Sequence, residues 1–280
     1  MALLQNTYGK GRVRVLRLHR DGQQHEPRET TAMVLLEGDF GKSFTGPDNS
    51  SVVATDSVKN IVNVVARENL RASTEELGIA IAKRFLDRYE HVERVNVDLV
   101  ETQWQRLSFD GQPHGFSFVR AGNGNPIARV NASRQSTEIA SGVDGFTFMK
   151  TTESGWVNYV MDEYTTLGET RDRIAATSML ATWRWARHPK SFPDANETVL
   201  KVALKEFATT YSEGVQDSLY RMGLKVLEAV PEISEISMAC PNLHYIPMNL
   251  SAFKLDNPGV IFLPTNEPHG QIQCTVGRDQ

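Results

Sequence analysis

Cysteine is scarce in this chain: Cys240 and Cys274 are its only two. Two thiols are too few for a disulfide scaffold or a four-thiolate zinc site, and they point to a reducing compartment. Metal-ligand patterning is missing as well. The seven histidines never pair at ligand spacing and no HExxH occurs, so chemistry is expected to run without a sequence-encoded metal site. No window approaches the roughly 18 uninterrupted apolar residues of a membrane span. The apolar run in "MALLQNTYGKGRVRV" is too short for a secretory signal. A cytoplasmic protein without membrane contact is therefore expected. Nor is there an excess of basic charge, since 34 acidic and 30 basic residues leave a net charge of -4, which disfavours a general nucleic-acid surface. What is present is an ordinary globular composition: 280 residues, 40% hydrophobic, enough for one large or two average domains with substantial cores.

The hydrophobic pattern gives an order of elements. "RVRVLRLHR" at 12–20 alternates with period two and "TTAMVLLEGDF" at 30–40 is a second apolar run, together a hairpin with a long connection. After Asp56, the residues Val58, Ile61, Val64 and Val65 recur at helical spacing. A longer helix follows in "STEELGIAIAKRFLDRYEHV", capped by Ser73 or Thr74, with Glu76 as the capping-box partner of Ser73. Alternation returns in "ERVNVDLVETQWQRLSFDG" and "HGFSFVRAG", a hairpin about Asp110-Gly111. The second half repeats the order: strands at "DGFTFMKTT" and "MLATWRWA" around an insertion, helices at "ETVLKVALKEFATTY" and "VQDSLYRMGLKVLEAV", and closing strands at "EISEISMACPNLHYIPMNL" and "GVIFLPTNE…IQCTVGR". The economical reading is an α+β chain of two duplicated β-β-α-α-β-β units, 1–135 and 136–280. Each unit has an antiparallel sheet with both helices on one face, and its polar second face and sheet edges call for oligomerisation.

Candidate functional residues sit at the junctions. In "SVVATDSVKN", Thr55 and Asp56 stand where a helix begins, as an N-cap or as part of an anion site at a helix N-terminus. "DEYTTLGETRDRI" contains Arg173, one of several charges that composition cannot single out. "SEGVQDSLY" opens a helix with Ser212 or Glu213 at the cap and Val215 and Gln216 in the first turn. "CPNLHY" sets Asn242 and His244 on one face of a strand at period two. Lys10 lies between two glycines just before a strand in "YGKGRVRV". Each of these has an ordinary structural reading; their joint occurrence is what carries information.

In that order and approximate spacing, "YGKGRVRV", "NSSVVATDSVKN", "DEYTTLGETRDRI", "VQDSLY", "PNLHY" and "CTVGR" closely resemble the urate oxidase family, from about Tyr8 to Arg278. The resemblance implies two tandem tunnelling-fold (T-fold) domains per chain, assembled as a barrel-like homotetramer around a central tunnel. It also implies oxidation of urate by O2 and water to 5-hydroxyisourate and hydrogen peroxide, with no cofactor and no metal. Active sites between subunits are implied, with Arg173, Gln216, Val215 and Asn242 of one chain meeting Thr55 and Asp56 of another. Lys10, Thr55 and His244 match the family's proton relay. Alignment of "SGWVNYVMDEYTTL" puts Trp156 where the family usually has a stacking Phe; a small shift selects Tyr159 instead. The C-terminal "VGRDQ" lacks the Ser-Lys-Leu peroxisomal address, which agrees with a cytoplasmic enzyme. The rival expectations are a hydrolytic pterin or GTP enzyme on the same fold and a catalytically silent purine-binding T-fold tetramer.

Overall fold

The structure is a computed structural model that describes residues 1–279. Two compact units divide it, Met1–Gly142 and a second from Val143 onward. In the first, β1 (Tyr8–Asp21) and β2 (Gln24–Gly38) pair antiparallel from Tyr8↔Leu36 to Asp21↔Gln24. The long connection expected between them is absent. Gly22, at φ +55°, closes a two-residue turn, and the polar stretch 24–29 pairs as strand because backbone hydrogen bonding does not need apolar side chains. Next come α1 (Gly41–Thr45), α2 (Thr55–Glu68), α3 (Thr74–Arg88), β3 (Val92–Thr102), β4 (Trp104–Phe109), β5 (Gln112–Arg120) and β6 (Asn125–Ser133). The expected Asp110-Gly111 turn joins β4 to β5, with both residues at positive φ, 52° and 76°. That hairpin forms its own two-stranded sheet. In the main sheet β3 lies between β2 and β6, the latter a strand not expected from the sequence.

The strand β7 (Thr137–Lys150) carries the chain into the second unit, which continues as β8 (Ala175–Trp185), α4 (Phe192–Thr209), α5 (Val215–Ala229), β9 (Ile233–Pro247) and β10 (Phe262–Gly277). Here β9 lies between β8 and β10, antiparallel to both. Apart from the five-residue α1 and the inserted β4–β5 hairpin in the first, both units thus run β-β-α-α-β-β.

Each core forms between the helices and one sheet face. In the first unit the helical stripe Val58, Val62, Val65, Leu77, Ile81 and Phe85 is at most 1% exposed, and so are the alternate strand residues Val34, Leu36, Val95 and Val97. Burying each such side chain contributes about 1.5–3 kcal/mol. The capping box of α3 is present: Ser73 Oγ accepts from Glu76 N–H, and Ser73 N–H donates to Glu76 Oε2 at 2.7 Å.

Arginines fasten the helix ends in a repeated pattern. Arg134 donates to the carbonyls of Leu86, Tyr89 and Val92, where α3 turns into β3. Arg278 donates to those of Leu227, Val230 and Ile233, where α5 turns into β9. Each of the three acceptors recurs 141 residues further along the chain, so the duplication extends to individual hydrogen bonds. These contacts satisfy carbonyls that a helix end leaves open. Among the described residues no helix is long and apolar enough to cross a membrane.

Candidate active site

A cavity of about 540 Å³ in the second unit gathers six of the residues singled out from sequence: Trp156, Arg173, Val215, Gln216, Asn242 and His244. They come from three places. The segment between β7 and β8 supplies Trp156 and Arg173, the start of α5 supplies Val215 and Gln216, and β9 supplies Asn242 and His244.

Backbone hydrogen bonds lock these pieces together. Trp156 and Thr170 exchange a pair, Trp156 N–H to Thr170 O at 2.7 Å and Thr170 N–H to Trp156 O at 3.1 Å. Arg173 N–H donates to Ser154 O at 2.9 Å, and Gly155 N–H to Ser212 O at 2.8 Å, three residues before α5. A stretch that is mostly irregular is therefore held as firmly as a strand where it carries the aromatic ring and the guanidinium. On the other wall, β10 slips register between Thr265, opposite His244, and Gly270, opposite Asn242. Such bulges re-aim neighbouring side chains.

Gly214 is the residue before α5, and no side chain caps that helix. Ser212 and Glu213, the expected caps, do not cap it. Ser212 is buried and donates instead to Gly214 O at 3.1 Å. The first N–H groups of α5 are left without intrahelical acceptors beside the cavity, at the positive end of the helix, where a negatively charged ligand atom is favoured. The missing side chain at 214 also makes room for Trp156. A Cβ there would stand 2.9 Å from Trp156 Cζ3 and 3.2 Å from Cε3. The indole stacks on Tyr159 at 5.6 Å between centroids and 13° between planes. Of the two aromatics that the alignment left open, Trp156 lines the cavity, whereas Tyr159 is its stacking partner.

Arg173 is half-buried and its guanidinium lies 5.9 Å from the Trp156 ring centre. Among the described residues it forms no salt bridge, its buried Nε has no hydrogen-bond partner, and no carboxylate lines the cavity. Burial pushes the guanidinium down from its ordinary value, and Tyr211 opposes that shift in part. A desolvated cation without a counter-charge favours an anionic ligand, and the planar fork of donors suits a planar one. Leu167, Ile246 and Ile272 add apolar wall; only Leu167 falls inside one of the motifs, and none of the three had a signal of its own. Behind Asn242, burial pushes the Cys240 thiol up to about 11, outside the range of a reactive thiolate. No group of three or more His, Cys, Asp or Glu among the described residues is placed to hold a metal ion.

The 141-residue offset identifies the matching place in the first unit, with Thr74, Glu75 and Glu101 standing for Val215, Gln216 and Asn242. There the positions close on one another. Thr74 donates to Glu101, Ser141 donates to Glu75 at 2.6 Å, and Ser73 caps α3, whereas its counterpart Gly214 leaves α5 uncapped. The duplicated fold thus keeps an open pocket in one copy and fills the corresponding place with its own side chains in the other.

Lys10, Thr55 and Asp56 belong to the first unit and do not line this cavity. Lys10 is half-buried on β1, just before a register shift that includes Arg12 at φ +56°. Neither Thr55 nor Asp56 caps α2: the capping position is Ala54, one residue earlier, and no side-chain bond is made there. Thr55 keeps an exposed hydroxyl that is not spent on the helix. The Lys59 ammonium, 2.5 Å from Asp56, holds that carboxyl below its usual range, with Asn60 and Lys10 adding smaller pulls.

Comparison with known proteins gives the same answer along both halves. The family model described as Uricase matches residues 6–131 and 139–273. The uricase of Emericella nidulans is 36% identical, over 97% of this chain and 95% of its own. Uricase-2 isozyme 1 of Glycine max is 36% identical, over 98% and 94%. The crystal structure of uricase from Arthrobacter globiformis superposes with a TM-score of 0.95 at 35% identity, covering 100% of this chain and 96% of that one. Matched in sequence and in fold over nearly its whole length, the chain belongs to the uricase family.

Proposed function

We propose that this chain is a urate oxidase of two tandem T-fold domains, acting as a homotetramer whose sites are shared between subunits. Arg173, Gln216, Val215 and Asn242 of one chain hold urate over Trp156. Thr55 and Asp56 of a second chain close its opposite edge. The observation that carries this reading is the half-buried Arg173 without a counter-charge, beside the open N-terminus of α5, in a chain of this family.

The reaction follows from charge. Arg173 and the α5 amides favour the anionic form of urate, which donates electrons more readily than the neutral purine. Urate gives up two electrons to dioxygen through a radical pair, the route that relieves the spin mismatch. Dioxygen takes two protons and leaves as hydrogen peroxide, and water supplies the hydroxyl of 5-hydroxyisourate. Lys10, the Thr55 hydroxyl and the His244 imidazole pass the protons, and Asn242 borders the place where oxygen reacts. No cofactor takes part in this scheme. Loss of the ultraviolet absorbance of urate, matched one for one by peroxide, is the expected result with purified protein. Urate binding without consumption would make the chain a purine-binding protein instead.

One prediction concerns the floor of the pocket. In Gly214→Ala the new Cβ meets the Trp156 ring, which cannot simply retreat, because its backbone is bonded to Thr170 and its face is stacked on Tyr159. The ring moves into the ligand space, and KM for urate rises about five- to twentyfold with a smaller change in kcat. Steady-state kinetics with an unchanged KM would show that the ring does not set the floor.

A further inference from the structure

Resting on the reading above, we infer that Tyr8 is a positioning residue that sets the Thr55 end of the relay relative to Lys10. Tyr8 and Lys10 are two apart on β1, paired with Leu36 and Val34 of β2. Tyr8 Oη accepts a hydrogen bond of 2.7 Å from Val53 N–H, 45 residues further on and two before Thr55. The ring is braced for this task. It meets Phe40 edge-on with centroids 4.7 Å apart, Phe40 is fully buried, and Phe40 in turn meets His91 edge-on at 5.7 Å.

The segment that Tyr8 holds lacks regular structure. Residues 52–54 lie between a turn and α2, and no side chain caps that helix. Val53 is 6% exposed, so its N–H needs a protein partner, and the phenol supplies it. Burial pushes the Tyr8 phenol up, and the bond from Val53 N–H opposes that shift in part. One bond therefore ties the start of the helix carrying Thr55 and Asp56 to the strand carrying Lys10. A relay depends on donor–acceptor distances, and a shift of about 1 Å can cost as much as a hundredfold in rate. Tyr8 touches no reacting atom in this scheme and acts through Thr55.

Tyr8→Phe keeps the ring and the Phe40 contact and removes only the acceptor. The expected result is a fall in kcat of about five- to twentyfold, larger than any change in KM. In a Thr55→Ala background the same substitution adds little further loss, because the residue it positions is already gone. Amide hydrogen exchange over residues 53–58 speeds up in Tyr8→Phe, a measurement that needs no turnover. A wild-type kcat in Tyr8→Phe, a loss that multiplies fully with that of Thr55→Ala, or unchanged exchange would each overturn the assignment. Wild-type protein that fails to consume urate would instead overturn the functional reading, and the exchange result would still decide whether Tyr8 is the tether.

Discussion

Lys10→Met is expected to bind urate within about threefold of the wild type and to turn it over at least about a hundredfold more slowly at saturation. The substitution keeps an unbranched side chain of similar length and removes the ammonium. Lys10 sits on β1 opposite Val34 and is half-buried, so the strand and its register do not depend on the charge. On the proposed mechanism, what is lost is the proton carrier at one end of the Lys10-Thr55-His244 relay. A positioned acid–base group contributes on the order of 10² to 10⁴ in rate. The signature is a kcat effect with a nearly normal dissociation constant, read by steady-state kinetics together with equilibrium binding of urate. A near-normal kcat would remove Lys10 from the mechanism.

Arg173→Ala has the opposite signature. Arg173 is the cation of a cavity without a carboxylate, and its loss leaves an anionic ligand in a part-buried site with only the α5 amides and neutral side chains to meet it. Removing one partner of a buried hydrogen-bonded charge pair costs about 2–5 kcal/mol, so urate affinity falls by about thirtyfold or more, and kcat/KM falls at least as far. Lysine does not restore it, because a point charge cannot reproduce two parallel bonds to a planar edge. The protein itself should gain a little thermal stability, since its own guanidinium is desolvated and unpaired in the free state. Calorimetric titration with urate gives the affinity and thermal melting gives the second effect. Unchanged affinity would mean that Arg173 does not face the ligand.

Much of this fold is written locally in the sequence. The capping box Ser73-Glu76 and the Asp110-Gly111 turn can be read because each depends on residues within a few positions of one another; the α2 stripe is legible only in part, since Val58 and Val65 are buried as expected but Val64 is 48% exposed and Val62 takes the core position. The sequence is less legible where partners are distant or boundaries shift by a residue. The strand β6 contains Pro126 and Asn131 and reads as a linker until β3 is placed beside it. The capping positions lie one residue from Thr55 and two from Ser212, because the backbone angle and not the presence of a hydroxyl decides where a helix begins. Periodicity could not have assembled the site, since Trp156, Arg173, Gln216 and Asn242 meet only through the fold. The ordered set of short motifs named those residues. The room that Gly214 leaves for Trp156 and the tether from Tyr8 to Val53 had no signal in the sequence at all.

The most direct test joins the two variants. Lys10→Met and Arg173→Ala protomers, each nearly inactive alone at urate near the wild-type KM, are unfolded, reassembled together and assayed at that concentration. If a site takes Lys10 from one chain and Arg173 from another, random mixing leaves about a quarter of the sites with both native residues, and urate oxidation returns to about that fraction of wild type. If the mixed assembly stays as inactive as its parents, the site is not shared between chains in this way.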